Sequence, residues 1–154
     1  MHVSNCTSAD LLGVETMPFD KDVPTAPFIS IIYREHAKFI NDIVKEEGLS
    51  FGLHPLLIKI YKNEGISQEQ LAEAFHLNES TITRNLKKLE EKGFIERIKD
   101  KRKKIIRVTE KGKKSAQKVM DYDEKWDEIL KESITDEEYD NFIKTLRKIS
   151  EELI

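Results

Sequence analysis

The sequence predicts a mainly α-helical fold carrying one small β-hairpin. Apolar residues recur at helical spacing from Pro27 to the C-terminus. Two boxes of the form Ser/Thr-x-x-Gln/Glu, at residues 67–70 and 135–138, mark helix starts, because each side chain satisfies the other residue's orphan N–H. Between them, FIERI and KIIRVT read as β-rich runs on either side of a charged KDKRK, the pattern of a two-stranded hairpin with a basic tip.

Taken in order, residues 1–24 read as a flexible tail, with Pro18, Pro24 and no sustained periodicity. The first helix starts near Pro27, whose missing N–H costs nothing in a first turn. Phe28, Ile31, Ile32, Phe39, Ile40 and Ile43 form its stripe, and Gly48 ends it. Ser50 is the expected cap of a second helix with Leu53, Leu56, Leu57, Ile60 and Tyr61 on its apolar side. Pro55 is expected to remove one backbone bond and bend its start. Ser67-Gln68-Glu69-Gln70 opens a short third helix with Leu71, Ala72 and Phe75 inward. His76-Leu77-Asn78 breaks it, and Asn78 caps a fourth helix, ESTITRNLKKLEEKG. Ile82, Leu86 and Leu89 are the buried stripe of that helix. After the hairpin, a long helix runs from Glu110 to about residue 132, with Ala116, Val119, Tyr122, Trp126, Ile129 and Leu130 expected to face a partner. Thr135-Asp136-Glu137-Glu138 caps a last helix carrying Tyr139, Phe142, Ile143, Leu146, Ile149 and Leu153.

The length of 154 residues suits one domain with a tail, read here as 1–24 and 25–154. No apolar run approaches the ~20 residues of a membrane span, and the N-terminus has no basic start or long apolar stretch. The cytoplasm is the expected location, with no membrane partner. A formal net charge of −3 conceals a sharp asymmetry. Residues 82–114 hold fourteen basic residues against Glu90, Glu91, Glu96, Asp100 and Glu110, a net of +9. The rest of the chain has a net of −12. One basic block in an acidic chain points to a polyanion at that block.

A short helix, a three-residue turn, a second helix and a hairpin form a winged helix-turn-helix, assigned here to residues 50–109. The second helix of such a unit enters the major groove by its N-terminal end. Its exposed arc, Ser80, Thr81, Thr83, Arg84, Lys87 and Lys88, supplies hydrogen-bonding groups for that role. Arg84 is the best base reader, because a guanidinium grips guanine O6 and N7 together. Ser80, Lys87 and Lys88 are assigned to phosphates, as are Ser67 and Gln68 at the start of the preceding helix. The wing residues Lys99, Asp100, Lys101, Arg102 and Lys103 reach toward the flanking minor groove. Asp100 is expected to hold the Arg102 guanidinium in one geometry.

The stretch ISQEQLAEAFHLNESTITRNLKKLEEKGFIERIKDKRKKIIRVTEKGKK resembles the winged core of the MarR (multiple antibiotic resistance regulator) family. The carriers are the ISQEQLAE helix, STITR, L-x-x-L-E-x-K-G-F-I-E-R, the Asp-x-Arg wing tip and the V-T-E-K-G exit. The resemblance implies a homodimer paired through helices at 27–47 and 110–154. It also implies a transcriptional regulator, usually a repressor, acting on a pseudo-palindromic double-stranded DNA operator. Release by a small phenolic or other aromatic-acid effector would follow, with the ligand between the dimerisation helices and the winged core. By position, Tyr33, His36 and Tyr61 would line that crevice, with Arg34 or Lys59 available for a carboxylate. The wing is short for the family, with only KDKRK between its strands.

Two other readings remain open on the residues alone: a winged-helix protein-interaction module and a non-specific architectural DNA binder. An enzyme is not expected, since no glycine-rich phosphate loop, nucleophile elbow or zinc-protease motif is present. Cys6 reads as an inert thiol in the tail. His36, His54 and His76 lack the clustering of a metal site and are expected to face solvent or cap helices, so neither metal nor cofactor is expected.

Overall fold

The computed structural model describes residues 22–100 and 103–153. The tail assigned to residues 1–24 lies outside them through residue 21, and with it Cys6. Six helices and one hairpin follow in order: α1 (Thr25–Glu46), α2 (His54–Lys62), α3 (Gln68–Phe75), α4 (Glu79–Glu91), β1 (Ile95–Asp100), β2 (Lys103–Val108), α5 (Glu110–Lys131) and α6 (Asp136–Leu153). The chain divides into two compact units, residues 1–35 and 36–154. In the first, the described part is the opening of α1, where Phe28, Ile29, Ile32 and Tyr33 are exposed.

In the second unit, one apolar core draws on every element from the second half of α1 to the first half of α5. Ile40, Leu57, Ile60, Leu71, Ile82, Leu86, Leu89, Phe94, Ile95, Ile106, Ala116 and Val119 are almost fully buried. Helices are spaced so that residues three and four apart share a face, so Ile82, Leu86 and Leu89 all point inward from α4. Burying each such side chain contributes about 1.5–3 kcal/mol.

The helix ends follow backbone hydrogen-bond economy. Gly48 terminates α1 with φ 72°, its N–H donating to the Lys45 carbonyl while Leu49 N–H reaches Val44. Gly93 does the same for α4, with bonds from Gly93 to Glu90 and from Phe94 to Leu89. At the end of α3 the same pair of bonds forms around His76, whose φ of 49° is one that glycine adopts at far lower cost. Both predicted capping boxes form. Ser67 Oγ accepts from Gln70 N–H while Gln70 Oε1 accepts from Ser67 N–H, and Thr135 and Glu138 exchange the equivalent bonds.

The second helix departs from expectation. Ser50 does not cap it. Ser50 carbonyl accepts from Leu53 and His54 N–H in a preceding turn, and α2 begins at His54 with no side-chain cap. Pro55 then falls within the first turn, where no helical bond is lost. The hairpin is longer than expected, because pairing continues through the charged residues. Its register runs from Ile95↔Val108 through Arg97↔Ile106 to Lys99↔Lys104 and Asp100↔Lys103. Only Lys101 and Arg102 stand between the strands, so Lys99, Asp100 and Lys103 are strand residues and not a loop.

The long helix is also corrected. Ala116 and Val119, expected to face a partner, are buried in the chain's own core, and Tyr122 packs against it. Trp126 lies with its ring 5.4 Å from that of His36 and 5.6 Å from that of Phe39. Ile129 is exposed. In α6 only Tyr139 is buried, and Leu153 is 81% exposed.

Candidate nucleic-acid interface

The turn between α3 and α4 consists of His76, Leu77 and Asn78. Asn78 Oδ1 accepts from Thr81 N–H at 2.8 Å and from Ser80 Oγ at 2.7 Å, fixing the first turn of α4. With Ile82, Leu86 and Leu89 buried, the opposite side carries Ser80, Thr83, Arg84, Lys87 and Lys88 into solvent, with Thr81 half-buried at its edge. The predicted arc is therefore one surface. Its members do not all stand ready for a ligand, however.

Thr83 Oγ1 donates to the Glu79 carbonyl at 2.8 Å and accepts from Gln68 Nε2 at 2.7 Å. The bond ties the start of α3 to the second turn of α4. Gln68, assigned to phosphate, donates one amide N–H to this tie, and Ser67 Oγ accepts the capping-box bond from Gln70 N–H. The Gln68 bond joins the two helices, whereas the Ser67 bonds stay within α3. Arg84 Nη2 donates to Thr81 Oγ1 at 3.4 Å, leaving most of the fork unengaged. Two acids later in its own helix are paired elsewhere. Glu91 pairs with Lys87 at 3.7 Å, and Glu90 pairs with Arg97. Among the described residues, Lys88 has no acidic partner.

The wing root is knit to both neighbouring helices. Thr109 N–H donates to the Phe94 carbonyl at 3.0 Å and Thr109 Oγ1 to the Gly93 carbonyl at 2.6 Å. Thr109 also caps α5, accepting from Gly112 N–H at 3.1 Å. Lys111 Nζ donates to the Lys92 carbonyl at 2.6 Å and lies 4.6 Å from the Phe94 ring centroid. Gly112 allows a close backbone approach, since a Cβ there would stand 2.0 Å from the Phe94 carbonyl oxygen. Lys99 is exposed on β1. Lys101 and Arg102, and the side chains of Asp100 and Lys103, lie outside the described residues, as does the expected Asp100–Arg102 pair.

The residues proposed for a ligand crevice have the following neighbours within their own units. His36 Nε2 is 2.9 Å from Asp123 Oδ1, beside Trp126. Tyr61 donates to Gln117 Oε1 at 3.4 Å. Lys59 lines an open cleft of about 440 Å³ with Asn63, Glu64, Gly65, Ile66, Gln70 and Ala74. Tyr33 and Arg34 belong to the first unit. The histidines also divide. His76 is an exposed helix-end residue, but His54 is 5% exposed rather than solvent-facing, and its Nδ1 has no partner. Burial holds its pKa below 6.5, against a smaller opposing pull from Asp123. Its spacing of three from Leu57 and seven from Tyr61 was the available signal that it shares the inward face. Among the described residues, no helix is long and apolar enough to cross a membrane.

A buried-stripe helix carrying a basic, hydrogen-bonding outer face, set by a three-residue turn and flanked by a two-stranded wing, defines a winged helix-turn-helix DNA-binding protein. The MarR family model matches residues 52–104, within the region that carries this arrangement. The HTH-type transcriptional regulator BilQ of Clostridium symbiosum (strain WAL-14163) is 35% identical over 81% of this chain and 90% of its own length. A crystal structure of MarR superposes with a TM-score of 0.76 at 34% identity, covering 89% of this chain and 95% of that one. A MarR family regulator from Listeria monocytogenes, solved in complex with 26mer DNA, superposes with a TM-score of 0.76 at 27% identity, covering 87% and 90% of the two chains. The chain belongs to the MarR family, and is a DNA-binding transcriptional regulator rather than an enzyme.

Proposed function

We propose that the chain is a homodimeric repressor of a pseudo-palindromic double-stranded operator, with α4 in the major groove and the wing toward the flanking minor groove. The observation that carries this reading is the outward face of α4. Arg84 projects from the second turn with most of its donors unengaged, above a fully buried stripe and beside Ser80, Thr81 and Lys88. The Listeria relative's complex with DNA supports duplex DNA as the partner.

Pairing of two copies is supported by apolar surface that one chain leaves open. Ile129, Ile134, Ile149 and Leu153 are all exposed toward the C-terminal end. Two-fold pairing would give two α4 helices to two half-sites one helical turn apart. The reading extends to release by a small phenolic or aromatic acid. The Phe39, Tyr122 and Trp126 rings beside His36 offer surfaces suited to a ring.

Selection of bound duplexes from a random library by the full-length protein, near physiological salt, tests this. A two-fold site with half-site centres ~10 bp apart is expected, and a hydroxybenzoate should lower the affinity for it. Recovered DNA without a consensus would favour an architectural binder. Recovery of nothing above background would overturn the reading and favour a protein partner for the basic face.

A further inference from the structure

Five acids interrupt the basic block of residues 82–114. Glu91 and Glu110 make exposed pairs with lysines one helical turn away, pairings of little energetic weight. Glu90 is held differently. Arg97 donates to the same Glu90 oxygen, Oε2, from both Nε, at 2.8 Å, and Nη2. Side-chain exposure falls to 27% for Arg97 and 36% for Glu90. The Arg97 hydrogen bonds hold the Glu90 carboxyl below its ordinary pKa.

Glu90 sits in the last turn of α4. Arg97 is the third residue of β1, on the strand face shared with buried Ile95 and opposite buried Ile106. The chain reverses between them through Lys92-Gly93-Phe94, with Gly93 at φ 77°. The pair therefore spans the joint between the reading helix and the wing, and adds to the Thr109 and Lys111 bonds at the same joint.

We propose that Glu90 and Arg97 are positioning residues that fix the angle between α4 and the wing, so that both engage one duplex together. The inference rests on the DNA reading above and adds to it. A carboxylate on a phosphate-binding face lowers affinity unless it is neutralised and does something else. Here it is neutralised by a planar fork, which fixes direction as well as charge.

The two accounts of Glu90 predict opposite signs. If the pair is only a local charge, Glu90→Gln makes the face more positive, so the duplex binds more tightly with a steeper salt dependence. If the pair is a clamp, Glu90→Gln frees the wing. Affinity for the selected duplex then falls about tenfold, and the slope of log K against log salt becomes shallower by ~0.9 for each phosphate the wing no longer neutralises. Arg97→Lys keeps the charge but not the fork and should behave like Glu90→Gln. Lys99→Ala should weaken binding in the wild-type background and have no further effect in Glu90→Gln. Thermal unfolding of each variant monitors the fold, and Arg97→Lys carries the test should Glu90→Gln fail to fold.

Equal or tighter binding by Glu90→Gln, with an unchanged or steeper slope, would overturn the clamp. So would a Lys99→Ala loss as large in Glu90→Gln as in the wild type, because the wing would then engage the duplex without the pair. Failure of the wild type to bind any duplex would instead remove the DNA reading itself, a separate and recognisable outcome.

Discussion

Replacing Gly112 by alanine tests how the wing root is held. The new Cβ would lie 2.0 Å from the Phe94 carbonyl oxygen, 2.8 Å from Val108 Cγ2 and 3.0 Å from the Phe94 carbonyl carbon. Real Cβ atoms essentially never approach another atom more closely than 3.0 Å, so something must move by about 1 Å. The Phe94 carbonyl cannot yield freely, because it accepts from Thr109 N–H and Phe94 itself is buried. Overpacking costs ~1–3 kcal/mol, and disturbing the Thr109 bond adds ~1 kcal/mol, so about 3 kcal/mol is expected. For a chain of this size each kcal/mol lowers Tm by roughly 2–4 °C, giving a drop of about 6–12 °C. Thermal unfolding followed by circular dichroism at one protein concentration reads this directly. Gly52→Ala is the matched control: beyond its own chain neighbours no atom lies within 4 Å of its Cβ, and its φ is not positive. It should melt within about 2 °C of wild type. A Gly112→Ala protein that also melts within about 2 °C would refute the close approach of α5 to Phe94.

The buried histidine predicts a pH dependence. His54 has a folded-state pKa below 6.5, so the folded state binds fewer protons than the unfolded one. Its contribution is fully present above pH 6.5 and is lost as pH falls below that value, at up to ~1.4 kcal/mol per pH unit. His54→Leu should flatten the stability profile between pH 7 and 5, and an unchanged profile in urea titrations would rule His54 out as its source. The carboxylates Glu47 and Glu90, whose pKa values are lowered chiefly by Lys118 and Arg97, act in a separate window, losing stability as pH falls below about 4.5. Asn78→Ala removes the side-chain cap of α4 and should cost ~1 kcal/mol in urea unfolding. A loss under about 0.3 kcal/mol would show that the cap is dispensable. Gln68→Ala and Thr83→Val each break the α3–α4 tie, so their stability losses should be non-additive by ~0.5 kcal/mol or more. Strict additivity in a double-mutant cycle would mean the two side chains do not interact.

Much of this architecture was readable because it is local. The Ser67 and Thr135 boxes, the Asn78 cap, the Gly48 and Gly93 stops and the Ile82-Leu86-Leu89 stripe depend on residues within one or two turns of each other. The departures fall where backbone bonding or packing, rather than side-chain pattern, decides. Ser50 looked like a cap, but its carbonyl was drawn into a turn that delayed α2 to His54. The charged run around Lys99 looked like a loop, yet the backbone ladder extends through it because strand pairing does not require apolar side chains. Ala116 and Val119 were expected to face a partner and instead complete the core beneath α2, a choice their period alone could not make. In the interface, the outward placement of Ser80, Arg84, Lys87 and Lys88 followed from helical spacing. The use of Gln68 and Thr83 to join two helices did not, since they are fifteen residues apart. Glu90 and Arg97 meet across a chain reversal at a separation of seven, outside the i,i+3 and i,i+4 pairs that helical spacing brings together.

In the proposed complex, α4 reads DNA sequence through Arg84 and holds the backbone through its lysines. The decisive measurement compares Arg84→Ala and Lys88→Ala on the selected duplex and on its single-base-pair variants, across a salt series. Arg84→Ala should lose ~1–3 kcal/mol and relax the preference at one base pair of each half-site. Lys88→Ala should weaken every sequence alike and reduce the salt slope by ~1 for each half-site bound. Wild-type affinity and wild-type base preference in Arg84→Ala would contradict the account and place the reading surface elsewhere on the chain.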